Sequence, residues 1–265
     1  MFRSACSLAA IAALLAGCAV LPPEEPEAPP ALARFSLGSP GPELPLGWRS
    51  LKLSRFKKST DYRLVDDAGR TVVHAHADSA ASGLVHDIDV DPGAFPVLRW
   101  RWKVASLIPG ADNTVGHAED SPVRVILTFA GDKARWDFPD RLFATQVRML
   151  SGHELPYATL IYIWENRAAK ETIIANAHTS RVKMIVVRSG KEGVGRWCEE
   201  TRNLHDDYLR AFGEEPPRVT SVGIMTDTDN TGAVTHGFYG DISFAPSDRA
   251  ARSPRSVPAV FERAR

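Results

Sequence analysis

The chain has 265 residues and balances 32 lysines and arginines against 32 aspartates and glutamates, for a formal net charge of zero. Such a balance gives no global field for nucleic acid or for an anionic surface, so nucleic acid is not an expected partner. Hydrophobic residues make up 44% of the sequence, enough for a real core in one large β domain or two small ones.

The amino terminus has the order of a secretory signal. Arg3 precedes the small, apolar run Ser7 to Leu14, which closes on Leu15-Ala16-Gly17-Cys18. The run is too short to span a bilayer as a mature helix. Its last four residues resemble the lipobox of bacterial lipoproteins, which implies cleavage before Cys18 and lipid on its sulfur and new amino group. Several acyl chains would anchor the protein durably. Ala19 in the next position resembles cargo sent to the outer membrane, so a periplasm-facing lipoprotein of that membrane is expected. Of the three cysteines, Cys6 leaves with the signal and Cys18 carries lipid, so Cys198 is unpaired and is expected to be a buried, inert thiol.

Residues 19–33 are rich in proline and glutamate and read as an extended, solvated spacer. The domain proper is expected over 34–245. Residues 246–265 carry five arginines and two acids without an apolar period and read as a disordered basic tail.

Within the domain the dominant period is two. Residues 61–65 and 71–76 flank Asp66-Asp67-Ala68-Gly69 and predict a hairpin. Residues 96–104 alternate, placing Leu98, Trp100, Trp102 and Val104 on one face, read as core, and Arg99, Arg101 and Lys103 on the other. After a long loop, 123–129 form the next strand, and further strands are expected at 47–54, 83–89, 157–165, 180–188, 218–226 and 235–244. Phe138 to Leu150 and Glu199 to Phe212 follow helical spacing, the second ending at Gly213. The predicted fold is all-β: an antiparallel β-sandwich or jelly roll with one or two peripheral helices. A monomer is expected.

Several segments together resemble a bacterial family designated DUF3047. They are Leu98-Arg99-Trp100-Arg101-Trp102, Glu119-Asp120 ahead of Arg124 to Phe129, Tyr162-Ile163-Trp164, Arg188-Ser189-Gly190, and Gly223 to Thr231 leading to Tyr239-Gly240-Asp241-Ile242. The resemblance implies no activity; its strand pattern is similar to jelly-roll sandwiches of the carbohydrate-binding kind.

Alternation also predicts a site. With Val123, Val125, Leu127 and Phe129 in the core, Arg124 faces the other side of its sheet. With Ile161 and Ile163 taken as core, Tyr162, Trp164 and Asn166 face away from it, as do Asp227 and Asp229 when Ile224 points inward. Arg124, Tyr162, Trp164, Asn166, Asp227 and Asp229, bordered by Arg101, would then form one surface suited to a glycan or small polar ligand, with rings stacking and charges holding hydroxyls. The alternatives are a carbohydrate-active hydrolase or lyase using Glu165, Asp227 and Asp229, and a non-catalytic scaffold for an envelope protein. No cofactor is expected. Asp227, Asp229 and Thr231 begin like a calcium loop, with Asp112, Asn113, Glu119 and Asp120 as further oxygens, but Phe238 holds the place of the closing glutamate. A strand-to-strand turn is the preferred reading. His74, His76 and Asp78 share a strand face at a spacing that permits zinc, though solvent-facing histidines are the preferred reading there.

Overall fold

The computed structural model describes residues 32–247. The signal segment with Cys18, nearly all of the 19–33 spacer, and the tail from 248 onward lie outside the described residues.

Thirteen strands and two α-helices follow one another as β1 (Trp48–Lys52), β2 (Asp61–Asp66), β3 (Thr71–Asp78), β4 (Ala81–Val90), β5 (Val97–Val104), β6 (Ser121–Phe129), α1 (Phe138–Ser151), β7 (Ala158–Glu165), β8 (Ile173–Ala175), β9 (Val182–Ser189), β10 (Cys198–Asn203), α2 (Leu204–Phe212), β11 (Val219–Asp227), β12 (Val234–Tyr239) and β13 (Ser243–Ala245). One sheet runs β1-β4-β11-β6-β7-β9-β8; the other runs β10-β5-β12-β3-β2, with β13 also on β5. The two sheets form the expected sandwich. Its pairing is antiparallel between named strands except at β7 and β9, which run parallel.

The β2–β3 hairpin forms as predicted. Ala68 and Gly69 take left-handed φ values of 56° and 79°, and Asp66 accepts the Gly69 amide. Leu98, Trp100, Trp102 and Val104 face the core, as alternation requires. Across from them the seven-stranded sheet contributes Val123, Val125 and Leu127, and also Tyr162 and Trp164. Trp100 stacks on Tyr162 with centroids 5.1 Å apart, and Trp102 tilts against Trp164 at 6.4 Å. Three of these rings meet their polar need inside: Tyr162 donates to Asp207 at 2.9 Å, Trp164 to the Gly190 carbonyl at 3.0 Å and Trp102 to Glu200 at 3.0 Å, whereas the buried Trp100 Nε1 has no hydrogen-bond partner.

Helix α1 begins at Asp137, whose carboxylate accepts the Asp140 amide, and stops at Gly152 with φ of 76°. The second helix is shorter than its apolar stripe predicts. Residues 198–203 instead pair with β5 as β10, where Cys198 and Glu200 alternate inward, and the helix starts only after Asn203 caps the Asp206 amide. Tyr208 then packs on Phe129 at 4.5 Å. Tertiary pairing with the free edge of β5 overrides local helical spacing in this segment.

Candidate functional site

Strand β7 is buried on both sides along its whole length, so burial alone does not distinguish its faces. Register with β6 decides which is which: Arg124 lies opposite Ile163, and Ile126 opposite Ile161. Directly paired residues share a face. Ile161 and Ile163 therefore accompany Arg124 on the outer side, where they cluster with Ile174, Met184 and Val186, while Tyr162 and Trp164 point into the core. The predicted surface joining Arg124 to Tyr162 and Trp164 does not exist, because the sheet separates them.

Two other members of that surface also lie elsewhere. Arg101 is on the outer face of the six-stranded sheet, its guanidinium 4.3 Å above the Trp197 ring. Asn166 donates to the carbonyls of Ile108 and Ala111 at 2.7 and 3.0 Å and ties down the β5–β6 loop. Glu165, a carboxylate of the hydrolase alternative, is fully buried and accepts the backbone amides of Asn113, Arg167 and Ala168.

Arg124, Asp227 and Asp229 do come together, at one end of a cleft of ≈ 740 Å³ on the outer face of the seven-stranded sheet. Nε and Nη2 of Arg124 each lie 2.9 Å from an Asp227 oxygen, and Nη2 also donates to the Glu119 carbonyl at 2.9 Å. The Ser121 amide adds a third donor to Asp227 at 3.1 Å. The pairing of β11 with β6 shifts register between Met225 and Asp227, which brings the carboxylate over the guanidinium. Burial lifts the Asp227 carboxyl to about 6, and Arg124 opposes that rise without cancelling it. Lys57 reaches Asp229 at 2.6 Å.

Away from this end the floor is aliphatic. Leu51 of β1, Val85 of β4, Ile126 of β6, Ile161 of β7 and Met225 of β11 line it, and Phe143 and Val147 of α1 form a wall. Asp140 holds that helix in place by accepting from Thr179 Oγ1 at 2.6 Å and from the Ser180 amide and hydroxyl at 2.8 and 2.7 Å. Thr128 and Ser221, hydrogen-bonded to each other at 2.6 Å, border the cleft farther along the same strands. Sequence reasoning overlooked the floor and the wall. A usable signal was present in Ile126, an apolar residue between Arg124 and Thr128 on the face assigned to solvent.

Asp120, Asp227 and Asp229 each bring a ligand oxygen within 4.8 Å of the others, and among the described residues no further group of three metal-ligating side chains forms. Their oxygens already have partners. Asp120 accepts from the Thr231 amide and hydroxyl at 2.7 and 2.6 Å and from the Asn230 amide at 3.2 Å, so the loop after β11 closes as a turn. Thr231 thus bonds to Asp120, and Arg124 meets the charge of Asp227. A cation placed among these carboxylates would face that guanidinium. Asp112 turns to Thr114, and Asn113 donates to the Asp120 carbonyl. His74 and His76 lie on the far sheet, each stacked on His236, and Asp78 pairs with Lys58. Cys198 is buried, and burial raises its thiol above the ordinary value.

A family model described as "Protein of unknown function (DUF3047)" matches residues 46–243. No curated protein matches the chain. Among solved structures the chain is similar to the K2 cleaved adhesin domain of Lys-gingipain, at 14% identity and a TM-score of 0.38, covering 81% of this chain and 97% of that one. It is also similar to the family 30 carbohydrate-binding module of a cellulosomal cellulase of Clostridium thermocellum, at 11% identity and a TM-score of 0.32, covering 74% and 98%.

Proposed function

The chain belongs to the DUF3047 family, which carries no assigned activity, and we propose that it is an envelope lipoprotein that binds a polar-headed amphiphile, such as a glycolipid, in the cleft over its seven-stranded sheet. The observation that carries this reading is the division of the cleft. One end presents Arg124, Asp227, Asp229 and Asn230; beyond it an aliphatic floor of Leu51, Val85, Ile126, Ile161 and Met225 lies under Phe143 and Val147, with Thr128, Ser221, His153 and His178 among the polar groups at its border. A hydroxylated or charged head hydrogen-bonds at the first, and an apolar body lies along the second. A bare glycan held by ring stacking is disfavoured, because Tyr162 and Trp164 are core residues.

Binding is preferred to hydrolysis for a stated reason. Two of the three clustered carboxylates hold the guanidinium and the loop amides, and Glu165 caps a turn. The lipid on Cys18 and the outer-membrane address, read from the sequence, supply a setting in which amphiphiles are the neighbouring molecules.

Thermal unfolding of the protein with octyl glucoside or lysophosphatidylglycerol, each below its micelle concentration, tests the reading. A ligand at about 100 times its Kd adds roughly 2.7 kcal/mol to native stability. For a domain of this size that raises Tm by roughly 5–10 °C. An unchanged Tm with a panel of such head groups and chain lengths contradicts it.

A further inference from the structure

Helix α1 is apolar on two sides. Its inner side, Phe143, Ala144 and Val147, packs toward the domain. Its outer side carries a second stripe: Phe138, Leu142 and Met149 recur with Thr145 at the spacing of one helix face, and they are 74%, 50% and 74% exposed. The helix cannot roll to bury that stripe, because Asp140 fixes its inner face through Thr179 and Ser180. Arg141 and Arg148 flank the stripe on one side and are exposed.

The opposite border of the same cleft repeats this chemistry. The loop after β1 reads Leu53-Ser54-Arg55-Phe56-Lys57-Lys58; Leu53 and Lys57 line the cleft, and Phe56 is 74% exposed with the Arg55 guanidinium 4.8 Å from its ring. Among the described residues, Arg55, Arg141 and Arg148 have no carboxylate partner. Two separate segments, each pairing apolar tips with unneutralised cations, thus border one cleft.

We propose that this rim docks on an anionic lipid surface, with Phe56, Phe138, Leu142 and Met149 entering the acyl boundary and Arg55, Arg141 and Arg148 meeting head-group phosphates. Apolar residues backed by cations are the pattern of interfacial helices, and long arginine stems let the charge stay at head-group depth while the helix lies lower. The zero net charge of the whole chain does not oppose this, because the rim cations act within a Debye length of the surface. The chain outside the structure is consistent with such contact. Residues 19–31 separate Cys18 from the first described residue.

The test reads one rim position, so it is not confused with membrane attachment through the amino terminus. Leu142→Trp in the full chain is mixed with vesicles of brominated phosphatidylglycerol or brominated phosphatidylcholine, and the fluorescence added over the parent is followed. The proposal expects at least twofold quenching on the anionic vesicles and less on the zwitterionic ones. Adding Arg141→Glu and Arg148→Glu should weaken the apparent vesicle affinity about tenfold or more. Met149→Trp is the second reporter, and circular dichroism confirms that each variant folds. Unquenched tryptophan at both positions on vesicles that sediment the protein overturns docking. So does added fluorescence that follows protein concentration instead of lipid, which would assign the stripe to a second copy of the chain. No cleft ligand is required, so the result stands apart from the thermal-shift test.

Discussion

Arg124 grips Asp227 through two nitrogens, Nε and Nη2, each 2.9 Å from a carboxylate oxygen and both nearly excluded from water. A buried pair of this kind stabilises little on balance, yet breaking it leaves one charge uncompensated. Arg124→Met should therefore cost about 3–5 kcal/mol. The double change Arg124→Met with Asp227→Asn should recover most of that loss, because no charge is left stranded. Denaturant melts of the two variants check both statements. A double variant no more stable than the single one would mean that the pair acts through geometry and not through charge.

Trp164 lies between the sheets, fully buried against Trp102, with its indole nitrogen on the Gly190 carbonyl. Trp164→Ala should cost about 3–5 kcal/mol, the usual range for deleting a large core ring. A denaturant midpoint close to that of the parent would restore the ring to the surface and revive a stacking platform.

Glu171 accepts from Arg202 Nη1 and Nη2 at 2.6 and 2.9 Å and from Arg210 at 2.9 Å. The Arg202 hydrogen bonds lead in lowering its carboxyl from 4.5 to about 2. A depressed folded value means that the contribution is complete above the ordinary value and is lost as pH falls towards the folded one. The stability difference between parent and Glu171→Gln should thus be largest near neutrality and shrink between pH 4.5 and about 2. Paired melts across that window measure it, and a difference independent of pH rules the linkage out.

Removal of divalent cations should leave the fold unchanged, since hydrogen bonds within the chain satisfy Asp120 and Asp227. Melting curves with EDTA and then excess calcium decide this. A fall in Tm with chelator, reversed by calcium, would make Asp120, Asp227 and Asp229 metal ligands.

What could be read from the sequence depended on whether one face of a strand was wet. In β5, Leu98, Trp100, Trp102 and Val104 alternate with three cations, and their inward facing followed directly. In β7 every residue of Ala158–Glu165 is buried, so isoleucines alternate with aromatics and only Thr159 and Glu165, at the two ends of the strand, mark the face of Ile161 and Ile163 as the outer one. The pairing of Arg124 with Ile163 resolves the facing, and pairing is a long-range fact. The choice of Ile161 and Ile163 as core inverted the strand and put Tyr162 and Trp164 into a predicted site from which their place in the core removes them. Asp227 was placed correctly because Ile224 and Met225 differ in their surroundings: the first joins the core and the second borders the cleft. The second helix was read five residues too far back, because β10 gains its stability from the edge of β5 and not from its own sequence.

The most direct measurement of the central claim is ligand-induced stabilisation in a matched pair of variants. Ile126→Arg puts a long charged side chain into the half-exposed floor of the cleft, whereas Arg101→Ala changes only the far sheet. With an amphiphile that raises the Tm of the parent, Ile126→Arg should abolish the shift while Arg101→Ala keeps it. Retention of the full shift by Ile126→Arg, or its loss in Arg101→Ala, would place binding away from the seven-stranded sheet and contradict the account.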